Sequence, residues 1–455
     1  MQRMGDLILS FPLFLWLERA FPGHPVWVMA EPAFAGPLAR LSPRVRYLAY
    51  GQHDVVAGEK FHLVLNLSHR RESMDLAGRL QCDALVGGYI RDGVSRVAGE
   101  WQEYRMSLTH NNRHNRFHWA DLNALDVVPL PVMAATRWPE PRVMPPDVRT
   151  IGLFLGASEP DKRPSAAFWA GLVGELERRD WTPVLLGGPG EKDLCRDVRG
   201  LAGRPVASAC GTLGLDQFAV LGQTLAALVT PDTGPMHLAA WSGLKVLNLS
   251  MGPVHAWETG PYQPGHVVLR SARDCVGCWR CRFEGPRCHD PFSPTRVAGV
   301  LEAMLRGGGK RLRGLRLPDL EIHASGRRGG LYDLTPLSVR PKAGQLVGAY
   351  WRTFWLHAFG AGDGAACHGA AAELRAAHAP LARVMTRHAL RFLRTLTASS
   401  AAAGQALDWE REPLSLRPLS GYCAAHLANH DASPASRKRA LDLAERHLRF
   451  LSDTE

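Results

Sequence analysis

The stretch Val229-Thr230-Pro231-Asp232-Thr233-Gly234-Pro235-Met236-His237-Leu238-Ala239-Ala240 constrains this chain more than any other. The apolar run Leu225 to Val229 ends a helix and enters a short buried strand, and His237 to Ser242 then reads as a helix. Between them sit an acid, a hydroxyl and a glycine. A strand that turns into a helix in this way leaves backbone N–H groups at the helix start, where the partial positive charge suits a phosphate. Gly234 lets a ligand approach the backbone, and Pro235 fits the first helical turn. Asp232 would stand at the rim and accept hydrogen bonds from hydroxyl groups. The same residues also suit an ordinary capped turn with no ligand.

The same alternation recurs along the chain. Val26–Met29, Val45–Ala49, Phe61–Leu67, Thr150–Leu155, Pro183–Leu186 and Lys245–Leu249 read as short apolar strands separated by helices. That pattern predicts an α/β fold with mostly parallel sheets covered on both faces, and a ligand crevice beyond the strand carboxyl ends. Gly5-Asp6, read as a turn and cap opening the first helix, falls at that edge, as do Ser68-His69-Arg70 and the glycine-rich turn at 187–190. The proline-rich stretch 126–149 marks a linker. The expected organisation is a first domain over 1–140, a second over 141–308, a basic linker over 309–344 and a helical extension of unassigned role over 345–455. Two such domains would face each other across a cleft.

Composition narrows the partners. The chain of 455 residues carries a net charge of +11, and all but seven of its 54 basic residues are arginine. A basic surface suits anionic partners such as nucleotides, phospholipid or lipid-linked sugars. No basic tract is interleaved with aromatics, so nucleic acid is not expected. The apolar run Leu7–Leu17 is broken by Pro12 and followed by Glu18 and Arg19, so it reads as a helix rather than a signal peptide. Nine cysteines at this length are not a secreted disulfide framework, which makes cytoplasm the default. Cys275-x2-Cys278-x2-Cys281-x6-Cys288 has spacing that could hold zinc or an iron–sulfur cluster, or could be a loop of reduced thiols. Lys162 follows a strand, where a point cation could neutralise a diphosphate or simply be solvated. The segment Trp101–Leu125 gathers Trp101, Tyr104, His110, Asn111, Asn112, Arg113, Asn115, Arg116 and His118. It reads either as a reader of sugar hydroxyls or as a solvated helix face. The Arg-rich helices at 387–394 and 437–450 fit either an anionic membrane face or plain solvent.

Five motifs then occur in one order: Gly5-Asp6 before Leu7 to Pro12, the loop 156–164, Leu186-Gly187-Gly188-Pro189-Gly190-Glu191, Asp232 to His237, and Thr259-Gly260-Pro261-Tyr262. Together, over residues 1 to 306, they resemble the bacterial heptosyltransferases of glycosyltransferase family 9. The resemblance implies a GT-B fold of two Rossmann-like domains and transfer of heptose from ADP-heptose to a lipid-linked lipopolysaccharide core acceptor, without a metal or cofactor. It implies Asp6 as general base and Lys162 at the donor diphosphate. Ser158, Glu191, Asp232, Thr233, Gly234 and His237 would complete the donor site, with Glu191 near the ribose and Asp232 at the donor sugar. His69, Arg70, Arg113 and Arg116 are candidates for the acceptor. A peripheral position at the inner membrane would suit such an acceptor. Two departures stand out: no apolar strand precedes Gly5-Asp6, where the family has the first strand of its sheet, and Pro164 follows Lys162-Arg163 where the family often has Trp. Another nucleotide sugar, or a sugar-nucleotide-binding protein without transfer, is the alternative.

Overall fold

The computed structural model describes residues 3–273, 275, 278–279, 281–337, 342–399 and 407–452. In chain order the strands are β1 (Trp27–Ala30), β2 (Arg46–Ala49), β3 (Lys60–Asn66), β4 (Gln81–Arg91), β5 (Val94–Ala98), β6 (Thr150–Phe154), β7 (Thr182–Leu186), β8 (Ala207–Ser208), β9 (Ala227–Pro231), β10 (Val246–Ser250), β11 (Val267–Ser271), β12 (Leu320–Arg328) and β13 (Leu331–Pro336). Between most of them run helices, so the mixed α/β class and the helical C-terminal part are as expected.

One compact unit comprises Met1–Gly51, His118–Asp121 and Pro131–Arg340. Its main sheet has the order β13-β12-β11-β10-β9-β6-β7-β8. The six strands from β11 to β8 are parallel, and their order is that of a doubly wound sheet. Ile151, Leu153, Leu185, Val229, Leu247 and Leu269 are fully buried in its core. Strands covered on both faces explain why these segments read as near-continuous apolar runs. Ser165 caps the helix Ala166–Glu177, its hydroxyl oxygen accepting from the Phe168 N–H, and Ser293 does the same for Pro294–Arg306 through the Arg296 N–H.

The basic linker expected over 309–344 is corrected over its middle: 320–336 is a sheet hairpin, and Gly308–Gly314 before it is helical. β12 pairs antiparallel with β11 and β13 with β12, and Leu320, Ile322, Leu331, Tyr332 and Leu334 are buried. Gly329 and Gly330 both have positive φ, so they form the tight turn of a hairpin rather than a loose tether. The first helix also differs from expectation. It spans Met4–Ile8, so Asp6 lies inside its first turn and Arg3 takes the capping position without a side-chain bond.

The second unit comprises Gln52–Phe117, Leu122–Leu130 and Pro341–Glu455. It holds the sheet β3-β4-β5, with β3 and β4 parallel, and the helices Ala343–Ala358, Gly364–Ala377, Ala379–Ser399, Arg417–Asn429 and Pro434–Leu451. The compact units therefore do not follow the boundaries at 140 and 344. In a doubly wound sheet the first strand sits between the second and the fourth. The described chain opens on a helix, and the early strands form two separate ladders, β1-β2 and β3-β4-β5, one in each unit. Among the described residues no helix is long and apolar enough to cross a membrane.

The polar segment 101–118 is neither a solvated face nor an open surface within its unit. Asn111, Asn112, His114, Asn115 and Arg116 are buried. Asn111 Nδ2 donates to the Arg417 carbonyl at 2.8 Å, and Arg116 Nη2 to the Gly344 carbonyl at 3.3 Å. Gly348 makes room for that guanidinium: a β-carbon there would meet Arg116 Cζ at 2.4 Å.

Candidate active site

In a doubly wound sheet the crevice opens where strand order reverses, here between β6 and β9. The loops leaving these two strands and β7 carry Ser158, Lys162, Glu191, Asp232, Thr233 and Gly234. The fold thus gathers the expected donor residues at one edge of one sheet.

The helix Gly234–Trp241 follows β9 at once. Thr233 is extended, with φ −158° and ψ 161°, and no side chain caps the helix start. The N-terminal end of this helix is therefore left to interact with a bound group. The helix Met4–Ile8 packs beside it. A β-carbon on Gly234 would lie 2.3 Å from Met4 Cε and 3.3 Å from the Gly5 nitrogen, so any side chain there would displace the end of Met4 and crowd the Gly5 backbone. A β-carbon on Gly5 would in turn be 3.7 Å from His237 Cδ2. Gly5 and Gly234, more than two hundred positions apart in sequence, are neighbours.

Asp232 is mostly buried and accepts a hydrogen bond from the Thr259 hydroxyl at 2.6 Å. Burial pushes its carboxyl up to about 6, against the opposing pull of that hydroxyl and of the Lys162 charge. His237 Nε2 lies 3.7 Å from Asp232 Oδ1, while burial drives the imidazole down to about 3 and Nδ1 finds no partner among the described residues. At neutral pH His237 is therefore an uncharged ring beside an acid. Lys162 ends a 3-10 turn, Pro160–Lys162, and its ammonium contacts Glu159 Oε1 at 3.0 Å. Ser158 Oγ lies at 3.5 Å.

Glu191 is folded back on the strand ends. Its Oε2 accepts from the Gly188 N–H at 2.8 Å, and β-carbons on Gly156 or Gly187 would strike its side chain at 2.4 and 2.7 Å. The glycines of both loops thus make the space for this acid. Thr259 is the residue that motif reading undervalued, because its role in holding Asp232 shows only across 27 residues of sequence. The rest of its motif is structural: Tyr262 is buried and donates to Asp121 Oδ1 at 2.6 Å, and the Gly260 carbonyl lies 3.0 Å from His118 Nε2.

The acceptor candidates fall in the other unit. His69 and Arg70 are exposed just beyond β3, Arg113 is half-buried, and Arg116 is buried with its guanidinium on backbone carbonyls. The four cysteines are half-buried and free of disulfides, and burial, then the neighbouring Cys278 and Cys275, push the Cys288 thiol up. Beside them is a cavity of about 530 Å³ lined by Pro164, Phe168, Met251, Phe283, Arg287 and His289 among others. It does not include Asp232, Lys162 or Glu191.

A doubly wound sheet with an uncapped helix start, a buried acid and a lysine at its switch point is the class of site that can hold a phosphate-bearing ligand, and the fold is GT-B. Residues 130–285 match the model of glycosyltransferase family 9 (heptosyltransferase). Among solved structures, the family 9 glycosyltransferase from Veillonella parvula is 18% identical, with 67% of this chain and 95% of that one covered at a TM-score of 0.50. The E. coli ADP-heptose lipopolysaccharide heptosyltransferase II is likewise 18% identical, covering 67% and 96% at 0.48. E. coli heptosyltransferase WaaC with ADP is 16% identical, covering 67% and 100% at 0.45. No curated protein matches.

Proposed function

We propose that this chain is an inverting glycosyltransferase that moves heptose from ADP-heptose, or a closely related nucleotide sugar, to a lipid-linked lipopolysaccharide core acceptor at the cytoplasmic face of the inner membrane. The observation that carries the reading is the convergence of the Gly5-Asp6 helix, the uncapped start of Gly234–Trp241 and the buried Asp232 in one unit. The ADP-bound and ADP-heptose-named neighbours support the donor class.

In this mechanism the Asp6 carboxylate takes the proton of the acceptor hydroxyl as its oxygen attacks the anomeric carbon. The bond from that carbon to the donor phosphate oxygen breaks, and its electron pair leaves with the diphosphate. Lys162 and the helix N-terminus at Thr233-Gly234 stabilise the departing charge. Asp232, held by Thr259, orients the donor sugar through its hydroxyls, and Glu191 borders the nucleoside. Asp6→Asn removes the base while keeping the side chain's shape. Transfer should fall by about a hundredfold or more, with melting temperature and donor binding nearly unchanged. Lys162→Ala should lower turnover comparably. Wild-type transfer in Asp6→Asn would remove the base role from this residue.

A second reading is favoured by the two separate early ladders: a protein that binds a sugar nucleotide without transferring it. Donor binding by calorimetry with no turnover on core acceptors would select it.

A further inference from the structure

The helical unit contains a cluster that the glycosyltransferase reading does not use. Helix Glu100–Ser107 supplies Glu103, helix Arg417–Asn429 supplies His426, and His430 follows that helix directly. A spacing of four residues along a helix brings both imidazoles to one face. Glu103 Oε2 lies 2.6 Å from His426 Nδ1, and Glu103 Oε1 lies 2.7 Å from His430 Nε2. One donor atom from each of the three sits within 4.8 Å of the others. The acid is only 5% exposed.

The surroundings hold these groups in place. Asn429 Nδ2 donates to Glu103 Oε1 at 2.8 Å and to the Val97 carbonyl at 2.8 Å, while its Oδ1 accepts from the Val97 N–H at 2.8 Å. The amide is thereby fixed at both ends and fixes the carboxylate. The Tyr422 ring stacks on His426 with an interplanar angle of 10°. Partners of this kind orient ligands in metal sites. The His430 side chain is 44% exposed, against 7% for Glu103 and 13% for His426, so the cluster is closed on its protein side and open to water on the other.

We propose that Glu103, His426 and His430 form a binding site for a divalent transition-metal ion, with zinc the best match, that ties helix Glu100–Ser107 to helix Arg417–Asn429. Two imidazoles, one carboxylate and an open position for water make a donor set that zinc accepts. As they stand, the donor atoms meet at hydrogen-bonding distance. An ion with bonds of about 2.0–2.1 Å needs tetrahedral donors roughly 3.3 Å apart, so the acid must draw back from each imidazole by roughly 0.6–0.7 Å. The half-exposed His430 can supply that movement on its side, and a small swing of the Glu103 carboxylate or the His426 ring must supply it on the other. Metal ligands bind in their deprotonated forms, so affinity for the ion rises with pH. The competing arrangement is a carboxylate paired with two imidazoles that takes no ion.

The test uses the full chain, stripped with a chelator and titrated with zinc, and then with cobalt as a spectroscopic substitute. Zinc should raise the melting temperature by several degrees, as binding to the folded state alone requires. Cobalt should give visible d–d bands without the intense near-ultraviolet thiolate band that the cysteines at 275–288 would produce. His430→Ala, at a half-exposed position, should keep its circular dichroism while losing at least about tenfold in zinc affinity and the thermal shift. Glu103→Gln keeps a hydrogen-bonding group between the rings and should lose zinc as well. An unaltered melting temperature with zinc, a cobalt spectrum showing thiolate ligation alone, or a full zinc shift in His430→Ala would each overturn the proposal. If Glu103→Gln does not fold, the wild-type shift and His430→Ala still decide it.

Discussion

Two sets of buried polar residues, one in each compact unit, serve opposite ends. In the unit of the eight-stranded sheet, Asp232 and His237 are packed away from water with their needs incompletely met: one carboxyl is raised, one imidazole nitrogen is orphaned, and a helix start has no cap. In the helical unit the buried amides, Arg116 and Glu103 close on their own neighbours. Unmet polar groups at a strand-edge crevice mark a place where a ligand completes the structure. Met groups joined across three hundred residues mark a place where the chain completes itself.

The largest test of this contrast is truncation. Removing 342–455 takes away the partners of Asn111, Arg116, Val97 and Glu103. The expected outcome is an insoluble or partly unfolded product, read by circular dichroism and proteolysis. A soluble remainder that still binds nucleotide with wild-type affinity would make the tail an appendage rather than part of the second unit. Next is Asp232→Ala, which should cut transfer by about a hundredfold or more, chiefly through donor recognition, without lowering the melting temperature. Wild-type rates in that variant would remove Asp232 from the site.

Smaller is the effect of Asn429→Ala. It leaves the buried Val97 amide and carbonyl without their side-chain partner and should cost about 1–3 kcal/mol in a denaturant titration, with unchanged transfer per folded molecule. Smallest is the pH dependence of Asp232→Asn. Because the folded carboxyl titrates near 6 and the unfolded one near 3.8, the folded state holds the proton more tightly. The Asp232 contribution is therefore most favourable below about 4 and is lost as pH rises to 6. Asp232→Asn should then melt a few degrees higher than wild type at pH 7.5, with the gain vanishing at pH 4. A gain that is constant with pH would exclude the buried charge as its source.

The parallel strands and the 229–240 turn were legible because their signals are local: apolar runs of strand length ending in glycine, acid and hydroxyl. The hairpin at 320–336 was hidden by arginines and glycines that suggest a tether, although Leu320, Ile322 and Ala324 alternate as a strand should. Thr259 needed the fold to bring it to Asp232. The 101–118 segment misled for a further reason: its burial depends on helices that lie far along the chain, and no local pattern encodes a partner at that distance. His426 and His430 did carry a local signal, the four-residue spacing, but their acid lies 323 residues away from the first of them.

That separation also sets an order of events during synthesis. Glu103 emerges from the ribosome 327 residues before His430. At about 5–20 residues per second, the interval is roughly 15–65 seconds. Throughout it, the β3-β4-β5 sheet must wait without the helices that will cover its neighbours, while residues of the eight-stranded sheet are already being made. The nascent chain therefore carries a half-finished unit past a nearly finished one, and residues 52–117 spend that interval without the helices that later pack with them.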